Sequence, residues 1–207
     1  MGGNEDQEIE VKFHLKDIDS FEKQFKQKGG QLIQPSTYEI NYRFDTLDLQ
    51  LHRQSKILRL RKDITSKLTY KGPTSIKDGI RIREELEITV DDIHLATRIL
   101  ESLGYKIFQT YEKFRTVYSY KGIQIMLDIL PIGSFVEIEG HDPGKIKEIS
   151  LELGLRWDRS IIKGYLNIYH DLCEMKNIKE PDLVFRNSMF EEEDLEKVGV
   201  VPADISI

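Results

Sequence analysis

The 207-residue chain has one cysteine, Cys173, so no disulfide can form within it. That suits a reducing, cytoplasmic compartment. No apolar run approaches the length of about eighteen residues that a membrane-spanning helix needs. Residues 1–7 are polar and acidic and lack the apolar core of a secretory signal. Internal repeats and low-complexity tracts are absent. The five histidines have no metal-ligand spacing, so His14, His52, His94, His141 and His170 read as surface or packing residues. Positive charge is in the minority. Thirty Lys and Arg stand against 36 Asp and Glu, a net charge of −6. This argues against a general nucleic-acid surface. Any anion site must therefore be a local concentration of bases. The length favours one domain that buries roughly 70% of its unfolded surface.

What the chain does have is alternation. In Glu8-Ile9-Glu10-Val11-Lys12, charged and apolar residues alternate with period two, the signature of a strand with two unlike faces. Similar strands are predicted at 37–45, 56–63, 67–71, 79–90, 109–120, 123–130 and 134–139. Amphipathic helices are predicted at 17–28, 91–103, 143–153 and 160–176, with aspartates at several starts and glycines at several ends. Residues 47–55 read as a polar connection. The domain reading is 1–176 plus an acidic extension, 177–207, that is mobile or caps the rest.

The polar faces of these strands hold few Ser, Thr, Asn or Gln. One charged group is Arg59, Arg61, Lys67, Lys71, Arg81, Arg83, Lys113 and Arg115, and the other is Glu8, Glu10, Glu85, Glu87, Asp128, Glu137 and Glu139. Pairing successive strands would gather like charges, which repel unless a polyanion neutralises the bases and a divalent metal the acids. The four helices would cover the apolar faces, leaving the hydrophobic core outside the sheet. If the eight strands close, the charged face lines a tunnel. A membrane barrel also turns apolar residues outward, but then the helices would have no sheet to cover.

The ordered elements Glu8-x-Glu10-x-Lys12, Arg59-x-Arg61, Leu68-Thr69-Tyr70-Lys71-Gly72-Pro73, Arg83-x-Glu85-x-Glu87, Lys113-x-Arg115, Asp128 and Phe135-Val136-Glu137-Ile138-Glu139 resemble the CYTH domain, or triphosphate tunnel metalloenzymes. The likeness spans about 5–170 and is greatest to the class IV adenylate cyclase (CyaB-like) branch. It implies an α+β fold: a closed eight-stranded antiparallel β-barrel with helices packed outside. It also implies an enzyme that acts on ATP, tripolyphosphate or a similar triphosphate with Mg²⁺ or Mn²⁺. The reaction would be cyclisation of ATP to cyclic AMP and pyrophosphate. The alternatives are hydrolysis by an inorganic, nucleoside or thiamine triphosphatase, or a non-catalytic module that binds polyphosphate or nucleotide.

By the same resemblance Lys12, Arg59, Arg61, Lys71, Arg83, Lys113 and Arg115 would grip phosphate, with Lys71, Lys12 and Arg115 nearest the chemistry. Glu8, Glu10, Glu137 and Glu139 would lead as metal ligands, followed by Glu85, Glu87 and Asp128. Mg²⁺ takes only one or two carboxylates, so the other acids would orient bases. The thiamine triphosphatase branch has a tyrosine where Arg43 stands, which counts against a lysine–tyrosine mechanism here. Arg43, Lys67 and Arg81 are read as exposed salt bridges. Trp157, Tyr165 and Tyr169 are read as helix packing and Cys173 as an inert buried thiol, while Lys163 could reach the tunnel mouth. No nucleic-acid or membrane partner is expected. Monomer and homodimer both stay open.

Overall fold

The computed structural model describes residues 6–179, 182–187 and 189–204. The elements run β1 (Gln7–Leu15), α1 (Ile18–Gln27), β2 (Gln31–Asp45), α2 (Gln50–Arg53), β3 (Ile57–Lys62), β4 (Ser66–Lys71), β5 (Ser75–Lys77), β6 (Ile80–Thr89), α3 (Ile93–Ser102), β7 (Lys106–Tyr120), β8 (Ile123–Leu130), β9 (Gly133–Glu139), α4 (Pro143–Glu152), α5 (Tyr165–Met175) and α6 (Glu192–Lys197). Eight strands hydrogen-bond in the order β1-β9-β8-β7-β2-β3-β4-β6, and β6 pairs back onto β1 to close the ring. Every neighbouring pair is antiparallel. The short β5 extends the β4 edge by pairing with Ile80–Ile82. The seam is short: Gln7 to Glu10 face Glu84 to Arg81.

The helices lie outside the ring and cover its apolar face. Asp17 caps α1 through the Ser20 N–H, which sends Phe21 and Phe25 along one stripe onto Tyr118 and Tyr120. Pro143 and the capping Asp142 start α4, whose Ile146 and Ile149 pack with Val11, Ile125 and Ile138 from the outer faces of β1, β8 and β9. Asp92 caps α3, which packs Ile93 and Leu100 on Phe44 and Leu60. Each apolar side chain buried in this way contributes about 1.5–3 kcal/mol.

The fourth long helix does something else. Phe135 and Leu130 share the inward parity of Glu137 and Asp128, yet they pack with Ile168 and Leu172 of α5. The strands thus carry charge along the middle of their inner faces and apolar groups at one end, and α5 closes that end. Leu183, Leu195 and Val200 from the C-terminal segment join the same cluster. The Asp204 carboxylate accepts from the Lys16 and Asp17 N–H groups.

Some boundaries differ from the sequence reading. β2 begins at Gln31, because Gln31–Ser36 pairs with β7 through irregular register around Pro35. The connection after β2 holds α2, whose Leu51 and His52 N–H groups donate to the buried Asp45 carboxylate. Residues 157–159 form a separate 3₁₀ turn and Ile161 bridges Lys12, so α5 starts only at Tyr165.

Candidate functional site

The interior of the ring is a cavity of about 590 Å³. Every Lys, Arg, Asp and Glu singled out from the sequence as a site residue lines it, except Asp128, which sits fully buried behind the wall. Among the described residues the lining holds ten Lys and Arg and nine Asp and Glu. So near a balance makes the individual pairings, rather than the total charge, decide what the cavity can bind.

Most charges are paired across neighbouring strands. Glu8 and Glu10 face Arg83 and Arg81 in the β1–β6 register, with contacts of 2.5 and 2.8 Å. Lys71 lies 2.6 Å from Glu8 and 3.1 Å from Glu85. Lys12 faces Glu137 across β1–β9 at 2.5 Å. Asp128 accepts from Lys113 at 3.0 Å and from Arg115 at 2.6 and 2.7 Å, and Arg115 also bonds Glu137. Lys67 reaches Glu87 at 2.7 Å. The bases are therefore not massed together as the sequence suggested. β1 is flanked by β6 and β9, both distant in sequence, and these pairings interleave acids with bases.

The electrostatics follow. Burial alone would raise the Glu8 carboxyl, but Lys71 and Arg83 hold it well below the usual range. Glu137 is buried too, yet Lys12 and Arg115 hold it far down.

Two places put like charges in direct register, and in each one member has no ion pair among the described residues. Glu10 faces Glu139 across β1–β9. Among the described residues Glu139 has no ion pair. Burial, then Glu8 and Glu10, pushes its carboxyl up to about 7. Arg43 faces Arg59 across β2–β3. No described residue forms an ion pair or hydrogen bond with Arg43, and its buried Nε has no partner. Burial, with Arg59 and Arg83 nearby, lowers its guanidinium to about 10. The Nε atoms of Arg59, Arg61 and Arg81 are likewise buried without a hydrogen-bond partner, although Asp63 lies 3.4 Å from that of Arg61. In the ring order β1 and β2 are four strands apart, as are β9 and β3. The facing acids and the facing arginines thus occupy opposite walls.

Sequence reasoning missed several residues here. Arg43, Lys67 and Arg81 are not surface groups; all line the cavity, and Arg81 is buried. Glu39 is buried 3.6 Å from Lys113, and Tyr111 accepts a 3.2 Å hydrogen bond from Arg59. Tyr165 does more than pack. Its ring lies under Lys12 and Lys113, and its hydroxyl donates to Asp128 at 2.9 Å. Lys163 is exposed and paired with Asp171, and it is not part of the lining.

A divalent metal can be tested against these donors. No group of three or more His, Cys, Asp or Glu among the described residues is arranged to hold an ion. Mg²⁺ and Mn²⁺ do not need such a cage, since one or two carboxylates suffice when water and phosphate oxygens complete the shell. The facing Glu10 and Glu139 fit that requirement.

The CYTH domain family model matches residues 6–152. The chain belongs to the CYTH domain family. A protein of Methanocaldococcus jannaschii, provisionally named an adenylate cyclase, is 28% identical over 172 residues, covering 78% of this chain and 97% of the relative. A solved structure from Vibrio parahaemolyticus, also provisionally named an adenylate cyclase, is similar with a TM-score of 0.69 at 22% identity, over 77% of this chain and 95% of that one. A Pyrococcus horikoshii protein superposes with a TM-score of 0.66 at 25% identity, over 77% and 98%. A Hippeastrum structure, provisionally named an adenylyl cyclase and described as revealing a dominant triphosphatase activity, matches with a TM-score of 0.62 at 18% identity, over 79% and 95%.

Proposed function

We propose that this CYTH chain is a divalent-metal-dependent enzyme that binds a linear triphosphate in the ring, with conversion of ATP to cyclic AMP and pyrophosphate as its leading reaction. The observation that carries the reading is the placement of two facing carboxylates, Glu10 and Glu139, opposite two facing arginines, Arg43 and Arg59, within one charged cavity, with Glu139 and Arg43 free of ion pairs among the described residues. Such a cavity is complementary to a metal-bound polyanion and to little else.

Arg59, Arg61 and Arg83 would present guanidinium donors to phosphoryl oxygens, and Lys12, Lys71 and Lys113 point charges. Glu10 and Glu139 would hold Mg²⁺ or Mn²⁺. Bound there, the ion polarises the phosphoryl group under attack and neutralises charge on the leaving group. Glu8, Glu137 and Asp128 are spent on ion pairs, so their part is to fix Lys71, Arg83, Lys12, Lys113 and Arg115. Glu85 and Glu87 do the same for Lys71 and Lys67. Lys12, Lys71 and Arg115 would offset the negative charge that develops as the ribose 3′ oxygen bonds to Pα, gives its proton to water, and the Pα–O bond to the leaving pyrophosphate breaks.

Hydrolysis at the terminal phosphorus is the second reading. It is favoured by the lining, whose two tyrosines, Tyr111 and Tyr165, are both buried, which among the described lining residues leaves the imidazole of His141 as the open ring for a base to stack on. The fold does not choose, since it also carries a dominant triphosphatase activity in the Hippeastrum protein. Incubation with ATP, tripolyphosphate and thiamine triphosphate, with Mg²⁺ or Mn²⁺, separates the readings. Cyclic AMP with pyrophosphate supports the first and orthophosphate the second. Tight binding without products would defeat both. Arg59→Ala should raise KM.

A further inference from the structure

The pairing pattern leaves one residue unexplained. Arg43 sits on the inner face of β2 with Glu39 and Asn41, four and two residues before it, and lines the cavity. Its neighbours across the ladder are Arg59 on β3 and Gln109 on β7. Residues opposite each other in an antiparallel pair have Cβ atoms roughly 5 Å apart, so two guanidinium groups are held side by side. Arg59 is stabilised by Tyr111 and Thr69, and Glu87 lies 3.8 Å away. Among the described residues Arg43 has only the ring of Phe108, over which its guanidinium carbon lies 5.7 Å from the centre. The nearest acid on its own strand, Asp45, has both carboxylate oxygens occupied by backbone N–H groups of residues 46, 51 and 52.

A half-buried arginine without a counterion is unfavourable in the empty protein. Facing Arg59, it brings two guanidinium groups to one wall of the cavity, with Glu87 the nearest acid to Arg59. Within a linear triphosphate, the group that best matches this is the chain end. A terminal phosphoryl carries nearly two negative charges at neutral pH, because its second ionisation lies near 6, whereas an internal phosphoryl carries one. It also has three free oxygens for two planar donor groups.

We propose that Arg43, together with Arg59, forms a slot for the free terminal phosphoryl of the substrate, and that Arg43 is the residue that selects chains with an uncapped end. This rests on the triphosphate reading of the cavity. It places the chain end on the β2–β3 wall, opposite the carboxylates of β1 and β9. Triphosphates esterified at both ends, such as diadenosine triphosphate, lack the second charge and do not fill the slot.

The test compares tripolyphosphate with diadenosine triphosphate as competing ligands, with Mg²⁺, for wild type, Arg43→Gln and Arg43→Lys. In the wild type tripolyphosphate should bind more tightly. In Arg43→Gln its affinity should fall roughly ten- to hundredfold, the size of one lost charge-assisted hydrogen-bond set. The capped ligand should hardly change, and Arg43→Lys should recover part of the loss. The melting temperature of ligand-free Arg43→Gln should equal or exceed that of wild type. A lower melting temperature with unchanged discrimination would make Arg43 a structural residue packed on Phe108 and overturn the proposal. Equal loss for both ligands would also overturn it. Failure of the wild type to bind tripolyphosphate at all would instead remove the triphosphate reading, and this proposal with it.

Discussion

The Lys12 ammonium lies 4.3 Å from the centre of the Tyr165 ring, while the hydroxyl of the same tyrosine donates to Asp128. One side chain of α5 therefore touches a cation on β1 and the carboxylate that anchors two cations on β7. Burial and the charge of Asp128 push the phenol well above its ordinary range, so it stays a donor. Tyr165→Phe keeps the ring and loses the donor. It should cost about 1–3 kcal/mol in urea unfolding, because a buried carboxylate loses a partner, and leave KM for tripolyphosphate nearly unchanged. Tyr165→Ala should also raise KM. Equal behaviour of the two variants would show that the ring does not position Lys12.

Asp128 is fully buried and bonded to Lys113, Arg115 and Tyr165. Asp128→Asn removes the charge that compensates two bases, a class of change that costs about 3–5 kcal/mol. A bound polyanion would replace part of that charge. Saturating tripolyphosphate should therefore raise the melting temperature of Asp128→Asn more than that of wild type. Identical shifts would place the polyanion away from Lys113 and Arg115.

Glu139 has no ion pair to lose among the described residues and is crowded by Glu8 and Glu10. Glu139→Gln should consequently raise the melting temperature of metal-free protein. It should also weaken Mg²⁺ or Mn²⁺ binding by at least the roughly 10–100-fold seen for outer-shell changes. Calorimetric titration with Mn²⁺ measures the second effect, and unaltered affinity would remove Glu139 from the metal ligands.

His14 is buried beside Phe135, and its Nδ1 has no partner. Burial lowers its pKa from 6.5 to about 4, with Asp204 opposing the shift. Above pH 6.5 the ring is neutral folded or unfolded, so it adds no pH dependence. Between 6.5 and 4 the unfolded chain takes up the proton first, and stability falls with pH, by roughly 3 kcal/mol in all. Urea unfolding at pH 7 and pH 4.5 should show a smaller loss for His14→Gln than for wild type. An unchanged loss would assign the acid sensitivity to other groups.

The strands were legible because their alternation is local: every second residue from Glu8 to Lys12 or from Arg81 to Glu87 must face one way. The same parity holds for Glu39 with Arg43 and for Tyr111 with Lys113, so those residues, inside the strands predicted at 37–45 and 109–120, could have been found by following the charged face of each strand. The early half of β2 was lost because Gln31–Ser36 is polar, mostly exposed and broken by Pro35. Arg43 and Arg81 were misread for a different reason. Whether a charged strand residue meets water or a lumen depends on ring closure and on partners such as Arg59 and Glu10, which lie on other strands. Tyr165 gave no signal at all, since its part depends on where α5 lands on the end of the ring.

The seam between β1 and β6 sets an order of events during synthesis. Strand β1 takes β6 as one neighbour and β9 as the other, and β9 ends at Glu139. Until that residue emerges, Lys12 lacks Glu137 to face, and the lumen stays an open, wet sheet. All the ring strands must therefore be made before the charges that define the site are taken out of water.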